Sequence, residues 1–129
     1  MAKAEGLTLE FIGPENVRKD LLESFPYEGP TQNIVYETDE FSAVCPFSGL
    51  PDIAYLKIEY VPAKKIVELK SLKYYFVSYR NVGIYQEHAN AKIYEDLAAA
   101  LEPAFLSVTM TYNTRGGIDA TTNVCSDAQ

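Results

Sequence analysis

Cys45 stands in the stretch Phe41-Ser42-Ala43-Val44-Cys45-Pro46-Phe47-Ser48-Gly49-Leu50-Pro51-Asp52. Two prolines and a glycine predict a loop between strands. A cysteine on such a loop is better exposed than one on a core strand, and its thiolate is a strong nucleophile. Taken alone, a cysteine is more often a small buried hydrophobe, and Pro51-Asp52 alone is an ordinary turn. The combination is sharper. An acid seven residues beyond the thiol, after two turn-forming prolines, can fold back beside it.

Three further clusters carry charge where chain direction changes. Glu68-Leu69-Lys70-Ser71-Leu72-Lys73-Tyr74-Tyr75 lies where a strand gives way to a helix. It reads either as an amphipathic helix start with solvated lysines, or as a carboxylate and two cations at a helix N-terminus, which favours anions. Gln86-Glu87 opens the next helix. There an acid suits the first turn, but a fixed carboxylate also matches a guanine edge by accepting from both N1–H and the 2-amino group. Arg115-Gly116-Gly117 is either a hairpin turn alone or a turn whose bare backbone approaches a phosphate with Arg115 adding charge.

The elements that must hold these residues follow from periodicity. A short helix is predicted from Glu15 to Ser24, ahead of Pro26 and the Gly29-Pro30 turn. Gln32 to Glu37 alternates as a strand. In Ile53 to Val61, Leu56, Ile58 and Tyr60 alternate with Tyr55, Lys57 and Glu59. After Pro62-Ala63, Lys65 to Glu68 reads as a short strand forming a hairpin with the one before it. Leu72, Tyr75, Phe76 and Tyr79 mark one face of a helix. A second helix is predicted from about Gln86 to Leu101, stopped by Pro103. Ala104 to Tyr112 alternates again, and a last strand starts at Ile118. This order predicts an α+β fold, an antiparallel sheet with two helices on one face. Its bare sheet edges are of the kind that ring assembly covers.

The 129 residues, 47% of them apolar, suit one globular domain spanning 1–129. There is no run of 18 apolar residues, and Met1 to Gly6 lacks the apolar core of a secretory signal, so the expectation is a cytoplasmic protein without membrane contact. In that compartment a Cys45–Cys125 disulfide is the weaker expectation. One histidine and two distant cysteines predict no dedicated metal site. The net charge of −7 argues against broad nucleic-acid binding. Charge is uneven, however. The first forty residues carry nine acids and three bases, whereas Lys57 to Arg80 holds six bases and two acids. Such a basic patch is either a solvated face or a local anion site.

Together these pieces resemble the single-domain NADPH-dependent 7-cyano-7-deazaguanine (preQ0) reductases of queuosine biosynthesis. Cys45 to Asp52 is similar to that family's Cys-Pro-x-Ser-Gly-x-Pro-Asp stretch. Glu68 to Tyr75 is similar to its signature octapeptide, and Ser78-Tyr79-Arg80-Asn81 and Arg115-Gly116-Gly117-Ile118 also match. The matches run in family order from about residue 32 to 124. One position departs: the family often has His-Glu where this chain has Gln86-Glu87. His88 is offset by two and does not replace that histidine.

The resemblance implies the tunnelling fold, whose members build multi-subunit barrels with active sites between subunits, here a homo-oligomer. It implies that Cys45 attacks the nitrile and forms a thioimide, with Asp52 giving the proton to nitrogen. Glu68 and Glu87 would hold the ring, helped by Gln86 and by backbone from Val67 to Leu69, with Tyr85 packing on it. Leu69, Lys70, Arg115 and Gly116, with Lys73, would hold NADPH. Gln86 takes a binding role, since an amide relays no protons near neutral pH. Two rival readings remain: an archaeosine-synthase-like amidinotransferase using the same Cys and Asp without NADPH, and a ring-forming purine or pterin binding module with Cys45 inert. The lysine-bearing octapeptide and acidic net charge argue against the transferase.

Overall fold

The computed structural model describes residues 3, 5–7 and 9–126. Its centre is a four-stranded antiparallel sheet of β2 (Ile34–Val44), β3 (Pro51–Val61), β5 (Phe105–Arg115) and β6 (Ile118–Cys125), in the order β2-β3-β5-β6. Alternation decides which face is covered. Ala54, Leu56, Ile58 and Tyr60 on β3 and Leu106, Val108, Met110 and Tyr112 on β5 are buried on one side. The opposite side of β3 leaves Ile53 and Tyr55 exposed. Period-2 alternation thus puts one side of these strands in the core and the other in solvent.

Two α-helices lie against the apolar side. α1 (Leu69–Val77) buries Leu72 and Tyr75, and α2 (Gln86–Leu101) buries Ala89, Ile93, Leu97 and Leu101. Each fully buried Leu or Ile of this layer contributes about 1.5–3 kcal/mol relative to exposure. The predicted α2 matches the observed one at both ends. It stops because Glu102 turns left-handed, at φ 45°, ahead of Pro103, which cannot continue a helix.

Two expectations are corrected. Glu15 to Ser24 is not a helix. It holds two 3-10 turns, Pro14–Asn16 and Lys19–Leu21, and Ser24–Pro26 forms strand β1. Ten residues are too few for self-sustaining helix, and the backbone here has better partners elsewhere. The Arg18 N–H donates to Ser78 Oγ, the Glu23 N–H to Ser71 Oγ, and the Glu23 carbonyl accepts from the Glu68 N–H. The second correction concerns β4 (Lys65–Val67). It pairs antiparallel with β1, not with β3. Both edges of β3 are already occupied, by β2 and β5, so the short strand finds its hydrogen bonds on the N-terminal segment.

No helix among the described residues is long and apolar enough to cross a membrane.

Candidate active site

Cys45 follows the last residue of β2, and Asp52 is the second residue of β3. The two strands form a hairpin in which Ala43 faces Asp52 and Val44 faces Pro51. The predicted loop is therefore shorter than the motif, since Phe41–Val44 and Pro51–Asp52 are already strand. The turn closes tightly. The Cys45 N–H donates to the Leu50 carbonyl at 2.9 Å, and the Gly49 N–H donates to the Cys45 carbonyl at 2.7 Å. Gly49 has φ +73°, and a Cβ there would lie 2.4 Å from the Leu9 carbonyl oxygen, so only glycine fits. From outside, the Leu9 N–H reaches Ser48 O and Val44 exchanges backbone bonds with Val82 and Ile84. The thiol thus sits on a rigid platform.

That turn also activates the sulfur. Backbone N–H groups of Phe47 and Ser48 hold the Cys45 pKa below its ordinary value against a burial penalty, with the Ser48 hydroxyl and then the Arg115 charge adding smaller contributions. Donors aimed at an anion favour the charged form. Sequence reasoning missed Ser48; its place inside the Cys45–Asp52 stretch was the available signal.

Asp52 is buried, its side chain 6% exposed. Its Oδ1 accepts from Arg115 Nη1 at 2.6 Å and, more weakly, from Gln86 Nε2 at 3.4 Å. Arg115 reaches it from the end of β5. Gln86 and Glu87 come from the first turn of α2. Cys45, Asp52, Tyr85, Gln86, Glu87, Asn113 and Arg115 line one cleft of about 290 Å³. Tyr112 lies beneath it. Burial raises its pKa, and the Asp52 and Glu87 charges raise it further. His88 instead meets Tyr85 in a tilted contact, with ring centroids 6.0 Å apart, and does not line the cleft.

The remaining candidates are elsewhere. Val67 is buried at the end of β4. Glu68 caps α1, with both oxygens accepting backbone N–H groups of Lys70 and Ser71. Leu69 and Lys73 line a second cleft, of about 310 Å³, between α1 and β2. The two clefts share no residue. Lys70 is exposed in the first turn of α1. Gly116 and Gly117, at φ +59° and +77°, form the two-residue turn between β5 and β6, where a type I′ turn needs positive φ at both positions. The sequence motif is thus a hairpin turn, and at either glycine a Cβ would meet nothing within 4 Å. Cys45 and Cys125 are both free, and Cys125, paired with Ser107 at the far end of β6, is outside the Cys45 cleft.

Comparison with known proteins gives the family. A family model described as QueF-like protein matches residues 51–129. The NADPH-dependent 7-cyano-7-deazaguanine reductases of Thermotoga petrophila and Thermotoga maritima are each 58% identical over 127 residues, covering 98% of this chain and 93% of theirs. That of Caldicellulosiruptor bescii is 54% identical over 84% of this chain and 85% of its own. The crystal structure of the archaeosine synthase QueF-Like in the apo form superposes with a TM-score of 0.67. It covers 79% of this chain and 99% of that one at 22% identity, a likeness of fold. A family match over more than half of the chain, and relatives this similar across nearly all of it, make the chain a member of the QueF-like family.

Proposed function

We propose that the protein reduces the nitrile of 7-cyano-7-deazaguanine to the 7-aminomethyl compound with NADPH, through a thioimide on Cys45, as a step toward queuosine in tRNA. The observation that carries this reading is an activated thiol and a buried carboxylate in one cleft, in a chain 58% identical to reductases named for that reaction.

The covalent step balances within the cleft. The Cys45 sulfur bonds to the nitrile carbon, one π pair moves to nitrogen, and nitrogen takes a proton from Asp52. Asp52, paired with Arg115, obtains that proton from the Cys45 thiol, so the addition needs no outside acid. Glu87 faces the cleft as an acceptor for the ring's N1–H and 2-amino group, Gln86 assists, and Tyr85 offers a flat partner.

The cation set suits NADPH phosphates. The Gly116-Gly117 backbone is open to close approach, Arg115 keeps 40% of its side chain exposed, and Lys70 and Lys73 add charge. When bound, NADPH supplies hydride, and two are needed because nitrile to amine takes four electrons. Cys45 holds the carbon through the first reduction and leaves as a thiolate stabilised by the Phe47 and Ser48 N–H groups.

Glu68, Leu69 and Lys70 lie apart from Cys45 in a single chain, and the sheet leaves Val35, Ile53 and Tyr55 exposed on it. Both features support a homo-oligomeric barrel in which one subunit's octapeptide completes another's cleft. A free reactive thiol suits the reducing cytoplasm.

The test is anaerobic incubation with preQ0. Without NADPH, intact mass should rise by the full mass of preQ0, because addition expels no group. Cys45→Ala should abolish the adduct and Cys125→Ala should keep it. With NADPH, oxidation of two cofactors per amine formed is expected. An adduct on Cys125, or an adduct without NADPH oxidation, would overturn the reading, the latter in favour of a transferase.

A further inference from the structure

Arg115 and Asp52 are 63 residues apart in sequence and 2.6 Å apart in space. A specific irregularity brings them together. Between Tyr112 and Arg115 the β5–β6 register shifts: Tyr112 faces Ala120, yet Arg115 faces Ile118, so three steps on β5 match two on β6. In a regular strand Arg115 would point to the face opposite Tyr112. A bulge reverses that and re-aims the side chain, here toward the face where Tyr112 and Asp52 are buried. The side chain is used at one atom. Nη1 holds Asp52 while 40% of the Arg115 side chain stays exposed.

The geometry points to Arg115 as a positioning residue that holds the Asp52 carboxylate beside Cys45 before any cofactor arrives. This rests on the reading of Cys45 and Asp52 given above, and adds to Arg115 a role independent of phosphate. Among the described residues the only other side-chain donor to Asp52 is Gln86, at 3.4 Å, a contact too long to hold a buried charge alone. Removing Arg115 would therefore leave a buried carboxylate unpaired beside the thiol, and would withdraw a positive charge from it. Both changes disfavour the Cys45 thiolate. The same cation that supports the Cys45 thiolate is itself held more basic by Asp52, with Cys45 adding to that. The other titratable groups of the cleft are Tyr85 and Glu87, with Tyr112 beneath. None of them is a cation, so none replaces Arg115.

The test uses the full chain carrying Cys125→Ala, without substrate or cofactor, and follows iodoacetamide alkylation of Cys45 against pH. Arg115→Ala should raise the midpoint, because a cation is withdrawn and the Asp52 charge is left uncompensated near the thiol. Arg115→Lys should recover part of that shift, and Lys64→Ala, at an exposed cation outside both clefts, should leave the midpoint in place. In an Asp52→Asn background, Arg115→Ala should move it less, because no carboxylate is left unpaired. Circular dichroism checks that each variant is folded, and Arg115→Gln replaces the alanine variant if that one is not. An unmoved midpoint in a folded Arg115 variant overturns the proposal. If the midpoint moves but the parent protein forms no preQ0 adduct, the nitrile reading fails and the positioning role stands.

Discussion

Ser71 donates two hydrogen bonds to Glu68: its N–H to Glu68 Oε1 at 2.8 Å, and its Oγ to the Glu68 carbonyl at 2.7 Å. The second Glu68 oxygen accepts from the Lys70 N–H at 2.9 Å. An acid ahead of a helix satisfies orphan N–H groups and meets the positive end of the dipole. Ser71 Oγ also accepts from the Glu23 N–H, tying the N-terminal segment to α1.

Glu68 therefore has a structural task as well as its proposed place on the substrate ring. Glu68→Ala should cost about 1 kcal/mol, the usual worth of an N-cap, and Glu68→Gln less, because one acceptor oxygen remains. Urea unfolding measures both. If Glu68→Gln retains stability but loses preQ0 affinity, the ring contact is separable from the cap. If affinity is unchanged, Glu68 serves only the helix.

Glu87 lines the Cys45 cleft and is the carboxylate proposed to recognise the base. Glu87→Gln replaces one acceptor with a donor and removes the charge. A lost charged hydrogen bond should cost about 1.5–3 kcal/mol of preQ0 binding. Titration calorimetry in a Cys45→Ala background measures this without the covalent step. Unchanged affinity would remove Glu87 from the substrate site.

The tyrosines under the helices make stability fall in alkali. The Tyr75 hydroxyl donates to Asp96 Oδ2 at 2.6 Å and lies 2.9 Å from that of Tyr79. Burial raises the pKa of Tyr75, Tyr79 and Tyr112, and pushes Tyr60 up to about 12. In the unfolded chain these phenols ionise near pH 10. The folded state binds its phenolic protons more tightly, so this stability is complete below about pH 10 and is lost as pH rises through the folded values. Urea midpoints should hold up to about pH 10 and fall beyond it. Tyr79→Phe, with one group fewer, should show a shallower fall. An equal slope in that variant would exclude Tyr79 as a contributor.

Much of this was legible in residue order alone. The 3.6-residue pattern and Pro103 set α2, because an amphipathic helix writes its buried face into the sequence. Alternation set β3 and β5 for the same reason. Cys45 and Asp52 are close because a hairpin joins them, and Pro46, Gly49 and Pro51 announce the turn. These are local facts, decided by residues within a few positions of one another.

Tertiary structure decided what depends on competition between distant groups. Glu15–Ser24 had the letters of a short helix, yet its backbone was taken by Ser71, Ser78 and Glu68. β4 went to β1 because β3 had no free edge. Arg115 reads as a phosphate-binding cation beside two glycines, and its contact with Asp52, made by a one-residue bulge, is not written in that motif. Side-chain direction in a strand alternates residue by residue, so a single extra residue decides which face a charge joins. Only the paired register of two strands records where that residue sits.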